Sequence, residues 1–318
     1  MERAYLGSTG VRVTRVILGC GNFGGIGSSP AFFGKAETRE QAFALLDAAW
    51  EAGITTLDTA DAYGGGRSET FIGDWLRTKG PDVREGIVLS TKTFNPMDEG
   101  ADHGLAPARV RRQVESSLQR LGVERVDMFL AHEWDPDVPV AETAGALDEL
   151  VAAGKIGAYG LSNVDGRQLR EALAAGSFGW VQNSYSLLDR EAEREVLPLC
   201  FEHGLGFTPF SPLAGGWLTG KYRRGEPLPA GSRMTQRPEP YRHLEDERVY
   251  AALDALAAAA QERGATMAAL ALAWLLAEPR LTAVVVGPRR PEHLEPALAA
   301  LQLPLDAAER DAIAALLG

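Results

Sequence analysis

The chain has 318 residues, of which 45% are hydrophobic and 24% charged, the balance of a globular protein long enough for one large domain or two ordinary ones. Acidic residues outnumber basic ones by 43 to 32, a net charge of −11, which argues against a general binder of nucleic acid or anionic membrane. Its two cysteines, Cys20 and Cys200, are far apart, so neither a disulfide scaffold nor a thiolate metal site is expected and a reducing compartment fits.

The N-terminal stretch "RAYL-GSTG-VRVTRV" reads as a hairpin, two alternating runs around a turn-forming tetrapeptide. The apolar run "VILG" follows as a strand. "TREQAFALLDAAWEAG" is an amphipathic helix, with Thr38 and Gln41 spaced as a capping box and Gly53 as its stop. Then "ITTLDTA" is a strand, "RSETFIGDWLRTKG" a helix, "GIVLSTK" a strand, and "PARVRRQVESSLQRLG" a helix opened by Pro107 and closed by Gly122. The alternation runs on through "VDMFLAH", "AETAGALDELVAAG", "IGAYGLSN", "GRQLREALAAG", "WVQNSY", "EAEREVLPLCFEHG" and "LGFTPFSP". A Gly-, Pro- and Arg-rich connection spans roughly Leu213 to Leu244. Two helical segments, the run "LTAVVVG", the helix "PEHLEPALAALQ" and a last helix capped at Asp306 complete the chain.

Eight strands too apolar to have a solvated face, alternating with helices, point to a parallel sheet covered by helices. In a chain of this length that is a closed (β/α)8 barrel, an α/β fold of the TIM-barrel type, with an N-terminal hairpin and a long lid loop after the seventh barrel strand. The alternative, a doubly wound sheet, lacks its usual support: no GxGxxG opens a helix after the first strand. No domain boundary is visible, so residues 1–318 are expected to form one domain. The charged, glycine-broken N-terminus does not read as a signal peptide. No apolar stretch approaches the ~20 residues of a membrane helix. A cytoplasmic location is expected.

In such a barrel the carboxyl ends of the strands converge on one face. Here they carry Gly21 and Asn22, Asp58, Lys92, His132, Ser162 and Asn163, Gln182, Phe210 and Ser211, and Gly287 with Arg289. Asp58, Tyr63, Lys92 and His132 together suit one task. An ordinary tyrosine, of pKa about 10, donates a proton near neutrality only where a neighbouring cation favours its phenolate. Lys92 can be that cation, Asp58 can hold the lysine, and His132 can hydrogen-bond the incoming oxygen. Such a set suits protonation of a carbonyl oxygen as hydride reaches its carbon. A metal-dependent hydrolase has less support, because no second histidine or carboxylate accompanies His132 in ligand spacing.

These stretches carry a family resemblance. "GITTLDTADAYGGGRSE" resembles the aldo-keto reductase signature around the catalytic Asp and Tyr. "VLSTK" is similar to the strand bearing the Lys, and "RVDMFLAHEWDP" to the strand bearing the His. "VAAGKIGAYGLSNV" is similar to the family's "GKIRxxGxSN" segment, and the match runs from end to end, closest to the bacterial, potassium-channel-β-subunit-like branch. The resemblance implies a (β/α)8 fold and NADPH-dependent reduction of a small carbonyl compound, an aldehyde or ketone, with Tyr63 as proton donor supported by Asp58, Lys92 and His132. It also implies that NADPH (or NADP+) lies across the barrel mouth beside Gly21, Asn22 and Asp58. Ser162, Asn163 and Gln182 would bind its carboxamide. Phe210, where relatives usually carry Tyr or Trp, would stack on the nicotinamide, and Ser211, Leu213, Gly215 and Lys221 would wrap the pyrophosphate. Gly287, Arg289 and His293 fall in the segment for the 2′-phosphate and adenine, with Arg289 gripping the phosphate. His293 stands where Gln or Arg is frequent, and Pro296 and Ala297 replace polar residues, which puts the adenine contacts in question. Phe23, Phe94, Trp134 and Trp217 are the expected walls of a substrate pocket suited to flat or apolar carbonyls. Two alternatives stand beside this reading: a keto or enone reductase that tailors sugar nucleotides or polyketides, and a cofactor-binding regulatory subunit like the family's potassium-channel partners.

Overall fold

The computed structural model describes residues 1–100 and 102–317. Strands β1 (Arg3–Tyr5) and β2 (Arg12–Thr14) form the antiparallel N-terminal hairpin. Eight parallel strands follow: β3 (Val16–Gly19), β4 (Thr56–Asp58), β5 (Val88–Thr93), β6 (Val126–Ala131), β7 (Ile156–Ser162), β8 (Trp180–Gln182), β9 (Gly206–Phe207) and β10 (Val284–Val286). They pair in chain order from β3 to β9, with β10 beside β3. The two ends of that sheet meet through Thr282 N–H to Phe207 O and Val285 N–H to Pro209 O, both 2.9 Å. The barrel expected from the alternation is the fold observed.

Successive side chains on a strand point to opposite faces, and that period sorts the residues. Ile17, Met128, Leu130, Trp180 and Val285 pack together inside the barrel with Leu6 and Val13 of the hairpin. Val16, Leu18, Leu57, Leu89, Phe129, Leu161 and Val284, on the other parity, face the surrounding helices. The hairpin turn backs onto the start of β9: Ser8 N–H donates to Gly204 O at 3.0 Å. At Gly7, of φ +54°, a Cβ would lie 2.3 Å from Gly206 N, so only glycine fits that approach. One end of the barrel is therefore closed by apolar packing. A groove of about 800 Å3 lies at that same end, over the starts of β7 to β9, and holds none of the expected site residues.

The expected caps are present. Thr38 and Gln41 form a reciprocal capping box at helix 39–51, Pro107 opens helix 107–121 before Gly122 closes it, and Asp306 pairs with Glu309 at helix 307–315. Several elements differ from expectation, among them these. The helix read from Glu191 begins only at Val196, after a short 3-10 turn at 191–193. Pro198 lacks a backbone N–H and is tolerated only in a first turn. A six-residue helix at 81–86, opened by Pro81, was not foreseen. The strand "LGFTPF" shrinks to two residues with an isolated bridge at Phe210. The connection after it folds into 3-10 turns at 214–219 and 239–244 and a helical turn at 233–236. Arg233 donates from it to Asn22 Oδ1, and Arg237 to Ile26 O, so it lies against the loop after β3.

Candidate active site

Asp58 ends β4, Lys92 lies on β5 and His132 follows β6 directly, so three neighbouring strands deliver them to one end of the barrel. Tyr63 arrives from a 3-10 turn at 63–65, between β4 and helix 67–78. Gly64, Gly65 and Gly66 all have left-handed backbone, with φ of +60°, +67° and +86°. At Gly64 a Cβ would come within 2.8 Å of the backbone of residues 23 and 24. That run of glycine is what allows the chain to double back and hold the phenol over the barrel. Gly21 abuts the Tyr63 ring, where a Cβ would make ordinary contact at 3.5 Å.

Lys92 is fully buried and Asp58 is 3% exposed. The ammonium meets three oxygens: Asp58 Oδ2 at 2.5 Å, Thr59 O at 2.9 Å and Tyr63 Oη at 3.5 Å. The other carboxylate oxygen of Asp58 accepts from Ser90 Oγ at 3.0 Å and Gln182 Nε2 at 3.1 Å. A lysine has three donors and no acceptor. In the contact with Lys92 the Tyr63 oxygen therefore accepts, and the phenol keeps its own proton to give elsewhere. Burial would strip charge from Lys92, but Asp58 and Tyr63 outweigh it and hold its pKa above the ordinary lysine value. Burial likewise raises the Tyr63 pKa, while Lys92 pulls it down. Lys92 thus favours the phenolate as expected, but burial outweighs it, so the phenol stays protonated.

His132 stands edge-on to Tyr63, with ring centroids 5.5 Å apart. Burial and the nearby Lys92 cation push its pKa well below 6.5, so the imidazole is neutral. Asn95 Nδ2 lies 3.4 Å from His132 Nδ1. With that amide donating to Nδ1, the ring proton sits on Nε2. Next to it, burial lifts the pKa of Glu133 to about 7, and its Oε1 accepts from Asn163 Nδ2 at 3.2 Å.

The expected cofactor residues gather at the same mouth. Register pairs Ser162 with Gln182 across β7 and β8, and Ser162 Oγ donates to Gln182 O at 2.7 Å. Asn163, Ser211 and Ala214 carry left-handed φ of +56°, +52° and +47°, strain of a kind that collects where ligands bind. Phe210 is half-buried against the barrel interior, Leu213 is half-buried, and Gly287 is exposed with open space where a Cβ would stand. Gly215 lies under the Tyr241 ring, whose hydroxyl is 2.7 Å from Ser211 Oγ. His293 Nδ1 accepts from Arg289 N–H at 3.3 Å. Burial, Arg289 and Arg233 lower the pKa of Lys221, the mark of cations crowded together in an otherwise acidic protein. Such a cluster fits a polyanionic ligand.

Two expected pocket walls are not walls. Phe23 is 1% exposed and Trp217 is fully buried, packed on Tyr222 and Tyr250. Both belong to the core between barrel and helices. An aromatic in a loop after a strand gives the same sequence signal whether it faces ligand or packing. Phe94 and Trp134 are half-buried and remain available. The residues missed by sequence reasoning are Ser90, Asn95, Glu37, Gln236 and Tyr241. Ser90 could have been found, since it lies two positions before Lys92 on the same strand face. The others sit in loops and single helical turns too short to show a period. In the lid, Arg223 and Arg224 are exposed and paired with Glu226, Glu247 and Asp254.

Comparison with known proteins gives one consistent result. A model of the "Aldo/keto reductase family" matches residues 15–317. The chain is 37% identical over 322 residues to a protein of Bacillus subtilis (strain 168) named as an uncharacterized oxidoreductase, covering 96% of this chain and 93% of that one. It is 34% identical over 327 residues to the NADH-specific methylglyoxal reductase of Escherichia coli (strain K12), covering 97% and 96%. Among solved structures it is similar to the glycerol dehydrogenase of Gluconobacter oxydans, with a TM-score of 0.84 and 27% identity over 99% of this chain and 94% of that one. Among the described residues, no helix is long and apolar enough to cross a membrane.

Proposed function

The chain belongs to the aldo/keto reductase family, and from that premise we propose that it is an active enzyme reducing a small aldehyde or ketone to an alcohol with a nicotinamide dinucleotide. The observation that carries the reading is the direction of the Lys92–Tyr63 contact. The lysine can only donate, so the phenol is held with its own proton free.

The residues present fit the dinucleotide. Lys221 and Arg233 lie together where they would hold its phosphates, the left-handed backbone at Ser211, Ala214 and Gly215 would admit a close approach, and Ser162, Asn163 and Gln182 would take the carboxamide. When bound, the nicotinamide supplies the hydride that goes to the carbonyl carbon. Tyr63 gives its hydroxyl proton to the carbonyl oxygen, forming the new O–H bond. The electron pair left on the phenolate faces the Lys92 ammonium, which favours that form. Asp58 fixes Lys92, itself held by Ser90 and Gln182. Neutral His132 donates from Nε2 to the same carbonyl oxygen and orients it. Phe94 and Trp134 offer apolar contact to the rest of the substrate. The whole chain, residues 1–318, acts as one catalytic domain.

The relative specific for NADH, and the NADPH implied by the sequence resemblance, assign different dinucleotides. The choice turns on what surrounds Arg289. The intact set of Asp58, Tyr63, Lys92 and His132 weighs against a regulatory subunit without activity. Tyr63→Phe tests the reading. Loss of a general acid should cut carbonyl reduction by ~10²-fold or more, while the dinucleotide dissociation constant, read by tryptophan fluorescence, stays close to wild type. A variant that keeps its full rate would place the proton source elsewhere.

A further inference from the structure

Arg289 was the residue expected to grip a 2′-phosphate, yet its guanidinium is engaged by the protein. Nε donates to Glu37 Oε1 at 2.5 Å, and Nη1 donates to Gly231 O at 2.6 Å and Gln236 Oε1 at 3.0 Å. Glu37 is 4% exposed. Its backbone is bracketed by the loop after β3, with Glu37 N–H donating to Asn22 O and Gly24 N–H to Glu37 O, so the carboxylate is held rigidly beside the barrel mouth. Its second oxygen, Oε2, is buried and has no hydrogen-bond partner. A buried carboxylate oxygen without a donor is costly and calls for an explanation. A donor brought by the ligand supplies one.

We propose that Glu37 sets the choice of dinucleotide: it holds Arg289 and presents its free oxygen to a ribose hydroxyl, so that the site takes NADH at least as well as NADPH. A ribose 2′-hydroxyl donates to a carboxylate, the arrangement by which acidic residues favour NAD in other folds. A 2′-phosphate cannot donate there and brings like charge against Glu37. To receive it, Arg289 must also leave its carboxylate partner behind in a buried place. Lys221 and Arg233 face the same region, but pyrophosphate is common to both dinucleotides, so these cations raise affinity without choosing between them.

This assignment rests on the reading that the mouth binds a nicotinamide dinucleotide, and one set of titrations separates the two. NADH and NADPH are titrated into wild type, Glu37→Gln, Arg289→Ala and the double variant, following tryptophan fluorescence and checking each fold by thermal melting. Wild type should bind NADH as tightly as NADPH or more tightly. Glu37→Gln should shift the ratio of the two dissociation constants toward NADPH by ~10-fold or more, the scale of one charge-assisted contact. The shift should shrink but persist in the double variant, because only the part that comes from the freed guanidinium needs Arg289, while the lost ribose contact and the relieved repulsion do not. Glu37→Ala carries the same expectation should the amide variant fold poorly. Both dinucleotides bound, with the ratio unmoved by either Glu37 variant, would overturn the role of Glu37 and leave the dinucleotide site standing. Failure of wild type to bind either one would overturn both.

Discussion

Lys92 and Asp58 form a buried ion pair, and for such pairs the cost of breaking differs from the cost of replacing. Lys92→Met leaves Asp58 as an unmatched charge among Ser90 and Gln182. The variant should lose roughly 3–5 kcal/mol of stability, visible as a lowered melting temperature, along with its reductase activity. Adding Asp58→Asn removes the stranded charge, so the double variant should recover much of the stability and none of the rate. Recovery of both would mean that the lysine only props the site. These residues were legible in the sequence because strand ends converge, and a polar residue there stands out against an apolar run. Glu37 and Asn95 were not, since they lie in loops where burial and hydrogen bonding depend on partners far away in the chain. Phe23 and Trp217 were read as pocket walls for the complementary reason: sequence gave their size and loop position, but not which neighbour they press against.

Between helices 67–78 and 107–121 and strand β5 lies a second polar layer, facing outward from the barrel. Glu69 accepts from Thr91 Oγ1 and from Arg120 Nε, at 2.5 and 2.7 Å. Asp61 accepts from Thr93 Oγ1, and Arg109 binds Thr93 and the carbonyl of Asn95. Burial, followed by repulsion from Glu69, raises the Asp61 pKa to about 7, with Thr93, Arg109 and Arg120 opposing. An unfolded aspartate titrates near ~3.9, so between these values the unfolded state sheds a proton that the folded state keeps. The Asp61 contribution therefore costs stability as pH rises from about 4 to about 7, and the deficit persists above that. Asp61→Asn should raise the melting temperature more at pH about 8 than at pH about 5. Equal gains at both would show that Asp61 is charged throughout. The elements themselves were largely readable from caps and periodicity. The helix broken ahead of Pro198 and the short strand β9 were not, because local propensity there yields to the geometry of closing the barrel.

At the scale of the molecule, a chain of net charge −11 brings three cations of the lid and the segment after β10, Lys221, Arg233 and Arg289, close enough to repel one another. Dinucleotide affinity should fall as ionic strength rises from ~0.01 to ~0.15 M, over which the screening length shrinks from about 30 to about 8 Å. The fall should be smaller in Arg233→Ala, and an affinity indifferent to salt would mean that these cations do not meet the phosphates. Inside the barrel the linked Ser90, Lys92 and Asp58 sit beside an apolar cluster of Met128, Leu130, Trp180 and the hairpin's Leu6, with Ser90 in register with Met128 and Lys92 with Leu130. Met128, Leu130 and Leu6 carry no group that could hand a proton on toward the phenol. Once Tyr63 has delivered its proton, the replacement has to come through the doorway by which the alcohol departs. Emptying the site and rearming it for the next turnover are then one event, and a slow-leaving product would also be a slow recharge.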